Sequence, residues 1–129
     1  MRREVIDVSG ISDVTRAAKV PLSAAVRANG FVFVSGTPPI DVEKGGFIKG
    51  DIAAQTEQCL RNLRFVLEEA GTTMEKVCMV RVYAKPEFYK AINEVYATFF
   101  ALEPPARTFV PVGDWPFAFD VEIDCIALA

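Results

Sequence analysis

Histidine is absent from this 129-residue chain. Its absence removes the commonest general base at neutral pH, the serine–histidine and cysteine–histidine nucleophile pairs, and most zinc sites. Any chemistry must run on carboxylates, backbone groups, hydroxyls and arginine. Cysteine is scarce: Cys59, Cys78 and Cys125 form an odd, scattered set with no Cys-x-x-Cys pair, which argues against a disulfide framework and agrees with a reducing compartment. No apolar run reaches the ~18 residues of a membrane span, and the opening MRREVIDVSG lacks the apolar centre of a signal peptide. A cytoplasmic protein with no membrane partner is expected. An excess of positive charge is missing too, since 14 Lys and Arg face 17 Asp and Glu for a net charge of −3. With no basic cluster to override that balance, nucleic acid is not an expected partner.

What remains is an ordinary globular composition, 51% apolar and 24% charged, spread evenly with no linker, repeat or low-complexity segment. The length suits a single domain over residues 1–129, long enough to bury about two thirds of the surface its unfolded form exposes.

Asn29-Gly30 lies between two β-prone runs, and both residues tolerate positive φ, so a hairpin is predicted with strands near 23–28 and 31–36. TPPIDVEKGGF, rich in proline and glycine, reads as a loop. Asp51 can cap a helix in which Ile52, Cys59, Leu60, Leu63, Val66, Leu67 and Ala70 recur at helical spacing, with Gly71 suited to the position after its end. KVCMVRVYA, nearly continuous in β-formers, reads as a central strand buried on both faces. Pro86 opens a second helix carrying Phe88, Ile92, Val95, Tyr96 and Phe99, which Pro104-Pro105 stops. ARTFVPV is a short strand that Pro111 ends or confines to an edge, and FAFDVEIDCIALA is a long alternating strand. On that strand Phe119, Val121, Ile123 and Cys125 share one face, while Asp120, Glu122 and Asp124 share the other.

The order hairpin, helix, strand, helix, two strands predicts an α+β fold with two helices packed on one face of a mixed β-sheet. The opposite face carries apolar side chains beside its acidic row, so a subunit interface is the expected cover.

The segments PLSAAVRANGFVFVSGTPPID, GDIAAQTEQCLRNLRFVLEEAG, INEVYATFF, PPAR and VEIDCIAL are together similar, in the same order, to the reactive intermediate deaminase (RidA/YjgF, endoribonuclease L-PSP-like) family. The likeness runs from about residue 20 to the end. It implies a chorismate-mutase-like fold, a homotrimer with sites in the clefts between subunits, and hydrolysis of 2-iminoacids, formed from enamines such as 2-aminoacrylate, to 2-ketoacids and ammonia. No cofactor and no metal is implied.

The resemblance also carries roles onto residues. Arg107 would bind the substrate carboxylate, for which a guanidinium offers a matching fork of donors. Read without the resemblance, it is an exposed or ion-paired arginine. Glu122 would activate a water near the imine carbon, although the acidic row alone does not choose it over Asp120 or Asp124. Ser35 and Gly36 correspond to the family's strand-end serine-glycine. Gly36 would let main chain approach a ligand, and Thr108 would add an N–H or hydroxyl; as alternatives Gly36 and Ser35 end a strand and Thr108 is a β-former. Asn93 corresponds to the family's helix asparagine, bonding backbone near the cleft or facing solvent. The cysteines read as core residues.

Two positions depart from the family pattern. Leu22, in VPLS, stands where many members have a tyrosine. Phe109 stands where many have a cysteine. Leu22 removes a hydroxyl from the cleft and Phe109 makes the pocket bulkier and more apolar, so a larger or more apolar iminoacid, or an aminoacrylate-like acid from a catabolic pathway, fits at least as well as 2-aminoacrylate. Two other functions compete: a non-catalytic trimeric binder of small carboxylate metabolites, and RNA cleavage or translation inhibition, which the acidic balance weighs against.

Overall fold

Asn29 and Gly30 both take positive φ, 51° and 82°, the pair of left-handed conformations a tight hairpin turn requires. They join strand β2 (Ala25–Ala28) to strand β3 (Phe31–Thr37), with Ala28 opposite Phe31. The computed structural model describes residues 2–129. After β3 come helix α2 (Ile52–Glu69), strand β4 (Val77–Ala84), helix α3 (Tyr89–Phe99), and strands β5 (Ala106–Pro111) and β6 (Val121–Leu128). Ahead of the hairpin lie strand β1 (Glu4–Ile6) and helix α1 (Ile11–Ala17). The six strands form one mixed sheet in the order β1-β2-β3-β6-β4-β5, antiparallel except for β4 against β5.

Helix α2 starts where Asp51, in extended conformation, accepts the Ala54 N–H at 2.9 Å. It ends at Gly71, whose φ of 85° lets the Gly71 and Thr72 N–H groups return to the Glu68 and Leu67 carbonyls at 3.0 Å each. Its apolar stripe of Cys59, Leu60, Leu63, Val66 and Leu67 is fully buried. Asn62 is buried beside it and donates to the Pro38 and Ile40 carbonyls at 3.2 and 2.9 Å, so the helix fixes the start of the loop after β3.

The core face of the sheet follows from register. Val80, Val82 and Ala84 of β4 lie opposite Cys125, Ile123 and Val121 of β6, all buried beneath the helices in one apolar cluster that includes Ile92 and Tyr96 of α3. The other face is open. Phe31 and Phe33 on β3, Val5 on β1 and Leu128 on β6 are all exposed there.

Several expectations change. The described residues form three α-helices, not two: α1 and β1 are seven and three residues long, too short to show periodicity. Strand β4 is buried on one face only, because Arg81 is exposed and Tyr83 half-exposed on the other. Pro86 opens a 3-10 turn, Pro86–Phe88, and α3 proper begins at Tyr89. The last strand begins at Val121 rather than Phe117. Asp120 therefore leaves the acidic row: its carboxylate accepts from Gln55 Nε2 at 2.9 Å, and its N–H donates to Gln55 Oε1 at 2.8 Å. Pro111 closes β5, which is an edge strand, where its missing N–H breaks no ladder bond.

Asp51→Ala should lower the unfolding free energy by about 1 kcal/mol, read as a lower urea midpoint at unchanged slope. Asp51→Asn should keep most of it.

Candidate active site

The β3–β6 ladder breaks register between Val34 and Thr37, and in that break lie Ser35 and Gly36. Ser35 is consumed locally. Its N–H donates to the Ala24 carbonyl at 3.0 Å and its hydroxyl to the Ser23 carbonyl at 2.5 Å, while its own carbonyl accepts from the Thr37 hydroxyl at 2.8 Å. Gly36 is open, and Glu122 fills the opening. A Cβ built on Gly36 would collide with the Glu122 carboxylate, so the glycine is needed for what crosses it.

Glu122 and Gly36 share a cavity of about 80 Å³ whose other walls are almost wholly apolar. Val14, Ala18 and Leu22 line one side, and Ile40, Phe47, Phe117 and Phe119 another. Leu22 is among the lining residues and offers no hydroxyl. Phe119 is held by aromatic neighbours, with its ring centroid 4.9 Å from both Phe47 and Trp115. In this setting burial pushes the Glu122 carboxyl above the usual range, and the nearby negative charge of Asp124 pushes the same way. Asp124 is itself engaged by Arg81 Nε at 2.9 Å and the Tyr83 hydroxyl at 2.8 Å. Of the three acidic residues, Asp120 and Asp124 have partners in the fold, and Glu122 faces the cavity.

Arg107 lies elsewhere. Its strand partner is the buried Val80, so it projects from the helix face of the sheet, towards α3. There Nη1 donates to Asn93 Oδ1 at 2.7 Å, and the guanidinium carbon lies 4.8 Å from the Tyr96 ring centre and 5.8 Å from that of Tyr89. Asn93 therefore bonds a side chain, neither backbone nor solvent alone. Phe109 shares this side of β5 and packs edge-to-face on Tyr89 at 4.9 Å. Thr108 alternates to the opposite face beside Arg81 and is exposed.

Glu122 projects from the open face, opposite Tyr83, and Tyr83 is opposite Val110. Two strand spacings across and three residues along separate Arg107 from Glu122, which puts their Cα atoms roughly 14 Å apart with side chains on opposite faces. One chain therefore carries two clusters: Glu122, Gly36 and Leu22 in one, Arg107, Asn93 and Phe109 in the other. Sequence reasoning missed Tyr89 and Tyr96 as partners of Arg107, and Val14 and Ala18 as cavity walls. The tyrosines were visible as one stripe with Asn93 at spacings of four and three, which is one face of a helix. The α1 residues carried no signal.

Cys59 and Cys125 are buried, and burial pushes both thiols up, Cys125 to about 12, so neither is a nucleophile at neutral pH. Among the described residues no group of three or more Cys, Asp or Glu side chains converges to hold a metal ion, and no helix is long and apolar enough to cross a membrane.

The profile of the Endoribonuclease L-PSP family matches residues 14–129. A RutC family protein of Pyrococcus horikoshii is 43% identical over 109 residues, spanning 83% of this chain and 86% of that protein. Reactive Intermediate Deaminase A, chloroplastic, of Arabidopsis thaliana is 33% identical over 128 residues, 98% of this chain and 66% of that protein. Among solved structures, Escherichia coli TdcF with bound serine superposes with a TM-score of 0.78 at 27% identity, over 84% of this chain and 88% of that one. The break at Gly36, the Asn93–Arg107 pair and the C-terminal Glu122 are thus features of a chain that belongs to the endoribonuclease L-PSP family, the RidA/YjgF proteins.

Proposed function

We propose that the chain is a hydrolytic deaminase of reactive enamine and imine intermediates, converting 2-iminoacids to 2-ketoacids and ammonia. The observation that carries this reading is Glu122: a carboxylate with no partner among the described residues, raised in pKa, seated over Gly36 in an apolar cavity. A carboxylate raised by burial is a stronger base than one in water. The likeness to a protein named Reactive Intermediate Deaminase A supports the reaction class, and the serine bound by TdcF supports a small carboxylate as ligand.

In this reading Glu122 takes a proton from a water as it attacks C2 of the iminium acid. The C2–O bond forms while the C=N π electrons move to nitrogen, giving a carbinolamine. The proton then passes from Glu122 to that nitrogen, the C–N bond breaks as the carbinolamine hydroxyl returns its proton to Glu122 and the carbonyl forms, and the departing ammonia takes that proton and leaves as ammonium. The imine is electrophilic already, so no stronger nucleophile is required. Arg107 holds the carboxylate end, and Leu22 with the phenylalanine walls favours an apolar substrate side chain.

A small iminoacid cannot bridge two clusters on opposite faces of one sheet. The catalytic unit is therefore an oligomer in which Arg107 of one protomer meets the Glu122 cavity of another. The open apolar face with Val5, Phe31, Phe33 and Leu128 supports such self-association, and the homotrimer of chorismate-mutase-like fold is the arrangement we assign. A reducing compartment suits the three free cysteines; the cytoplasm is one, and the Arabidopsis relative is named for the chloroplast. Leu22 also favours a second reading, a trimer that binds carboxylate metabolites without turnover, because it removes a polar group from the cavity.

An amino-acid oxidase generating the imine, with semicarbazide trapping what escapes, separates the two: deaminase activity lowers semicarbazone yield, and a binder leaves it unchanged. In that assay Arg107→Ala should lose roughly 100-fold in kcat/KM, with Arg107→Lys intermediate because it keeps the charge and loses the fork. Light scattering should give the mass of three chains, and a monomer at micromolar concentration would remove the shared site.

Glu122→Gln should lower kcat by about 10²-fold or more with a smaller effect on KM. It should also stabilise the fold at neutral pH. Because the folded-state pKa is raised above 4.5, ionised Glu122 opposes folding, a penalty absent below the unfolded value and developed as pH rises through the folded one. The variant should melt above wild type near pH 7 and level with it near ~pH 4. Gly36→Ala should displace the Glu122 carboxylate, with activity falling at little cost in melting temperature, since only a side-chain end must move.

A further inference from the structure

Tyr89, Asn93 and Tyr96 stand at spacings of four and three on α3, one stripe of one helix face, and all three touch the Arg107 guanidinium. Asn93 accepts one N–H through a neutral amide oxygen, which fixes the group without cancelling its charge. Arg107 makes no ion pair among the described residues, so the rest of its fork is uncommitted. Of the two rings Tyr96 is the nearer, 4.8 Å from the guanidinium carbon to its centre, and it is only 7% exposed. Its hydroxyl is buried without a partner among the described residues, and burial pushes its pKa up to about 12, so it stays neutral and offers Arg107 no counter-charge. What Tyr96 presents is the face of its ring, which attracts a cation and is rigid.

We infer that Tyr96 is a positioning residue for Arg107: its ring is the floor of a clamp, completed by Asn93 and Tyr89, that holds the guanidinium with its free donors turned to a carboxylate. The inference rests on the reading of Arg107 as the carboxylate ligand. An arginine free in water samples many rotamers, and a carboxylate that binds it must first order it. The clamp does that ordering during folding. It also keeps bulk water from one side of the guanidinium, which strengthens the pairing made on the other. A lysine would gain less from this site, because its ammonium has no plane to lay on the ring.

Three variants and one probe test the clamp. In protein labelled with nitrogen-15, the Arg107 side-chain N–H signals, identified by their loss in Arg107→Ala, should be dispersed and slow to exchange. Tyr96→Leu should average them and weaken binding of pyruvate, a 2-ketoacid probe, roughly 3- to 30-fold. KM in the imine assay should rise by a similar factor with kcat little changed. Tyr96→Phe keeps the ring and should rescue the signals, the pyruvate affinity and KM, while unfolding at no lower temperature, because the hydroxyl it removes has no partner. Asn93→Asp should preserve the signals and still weaken pyruvate binding, since a carboxylate there competes for the charge.

Unchanged Arg107 signals and pyruvate affinity in Tyr96→Leu overturn the clamp, as does a Tyr96→Phe variant as impaired as Tyr96→Leu. Should Tyr96→Leu fail to fold, Tyr89→Leu, at a position 46% exposed, applies the same readouts to the clamp's outer wall. Pyruvate binding that depends on the Tyr96 ring in a protein that hydrolyses no imine would uphold the clamp and reject the deaminase.

Discussion

Everything in this molecule hangs on how β6 is paired. Strand β6 lies between β3 and β4, antiparallel to both, so within the sheet the β1–β2–β3 strands and the β4–β5 pair are joined through it. Its alternation does two jobs at once. Val121, Ile123, Cys125 and Ala127 are buried towards the helices, and Glu122 and Asp124 are thereby committed to the opposite face. A slip of one residue would place the carboxylates in the core and the apolar set outside, at a cost no contact in the fold could offset. The position of Glu122 is therefore not a local choice. It is fixed by the burial of its neighbours in the sequence.

That commitment creates an electrostatic problem, which the outer face solves unevenly. Two carboxylates two residues apart on one strand repel each other, and each loses water to the sheet. Asp124 is stabilised by the Arg81 side chain and the Tyr83 hydroxyl across the β4–β6 ladder. Glu122 has Gly36 opposite it where another side chain would stand, and no donor among the described residues. The fold spends its available donors on Asp124 and leaves Glu122 strained in charge. Reactivity is the other face of that imbalance, since a carboxylate without donors in an apolar cavity is a stronger base than one in water.

Much of the scaffold was legible in the sequence because its signals are local. Asn29-Gly30, the Asp51 cap, the α2 stripe and Gly71 each act within a few residues, and each holds in the structure. The start of β6 was not legible, because FAF continues the strand's alternation while its backbone belongs to the turn around Phe117–Phe119. The relation of Arg107 to Glu122 was hidden for a deeper reason. The two fall on opposite faces because β5 runs parallel to β4 with Arg107 level with Val80, and neither direction nor register of a non-neighbouring strand pair is written in either strand. The resemblance names the residues; only the ladder says which way they point.

Once the two faces are fixed, the separation of Arg107 from Glu122 has a physical logic. A guanidinium and a carboxylate of one chain brought within contact would form an ion pair with each other, and the arginine would be unavailable to an acid while the glutamate would lose its raised pKa. Keeping them roughly 14 Å apart across the sheet prevents that collapse in the isolated chain. Each then has its own supporting layer: aromatic rings and a neutral amide around Arg107, which keep its charge uncancelled, and apolar walls around Glu122, which keep its pKa raised. Bringing the two layers together across a boundary between chains would let a bound iminoacid separate them, its carboxylate against the arginine and its imine carbon towards the glutamate. The substrate itself would complete the electrostatics of the site, and the protein's own opposite charges would have no direct path to each other.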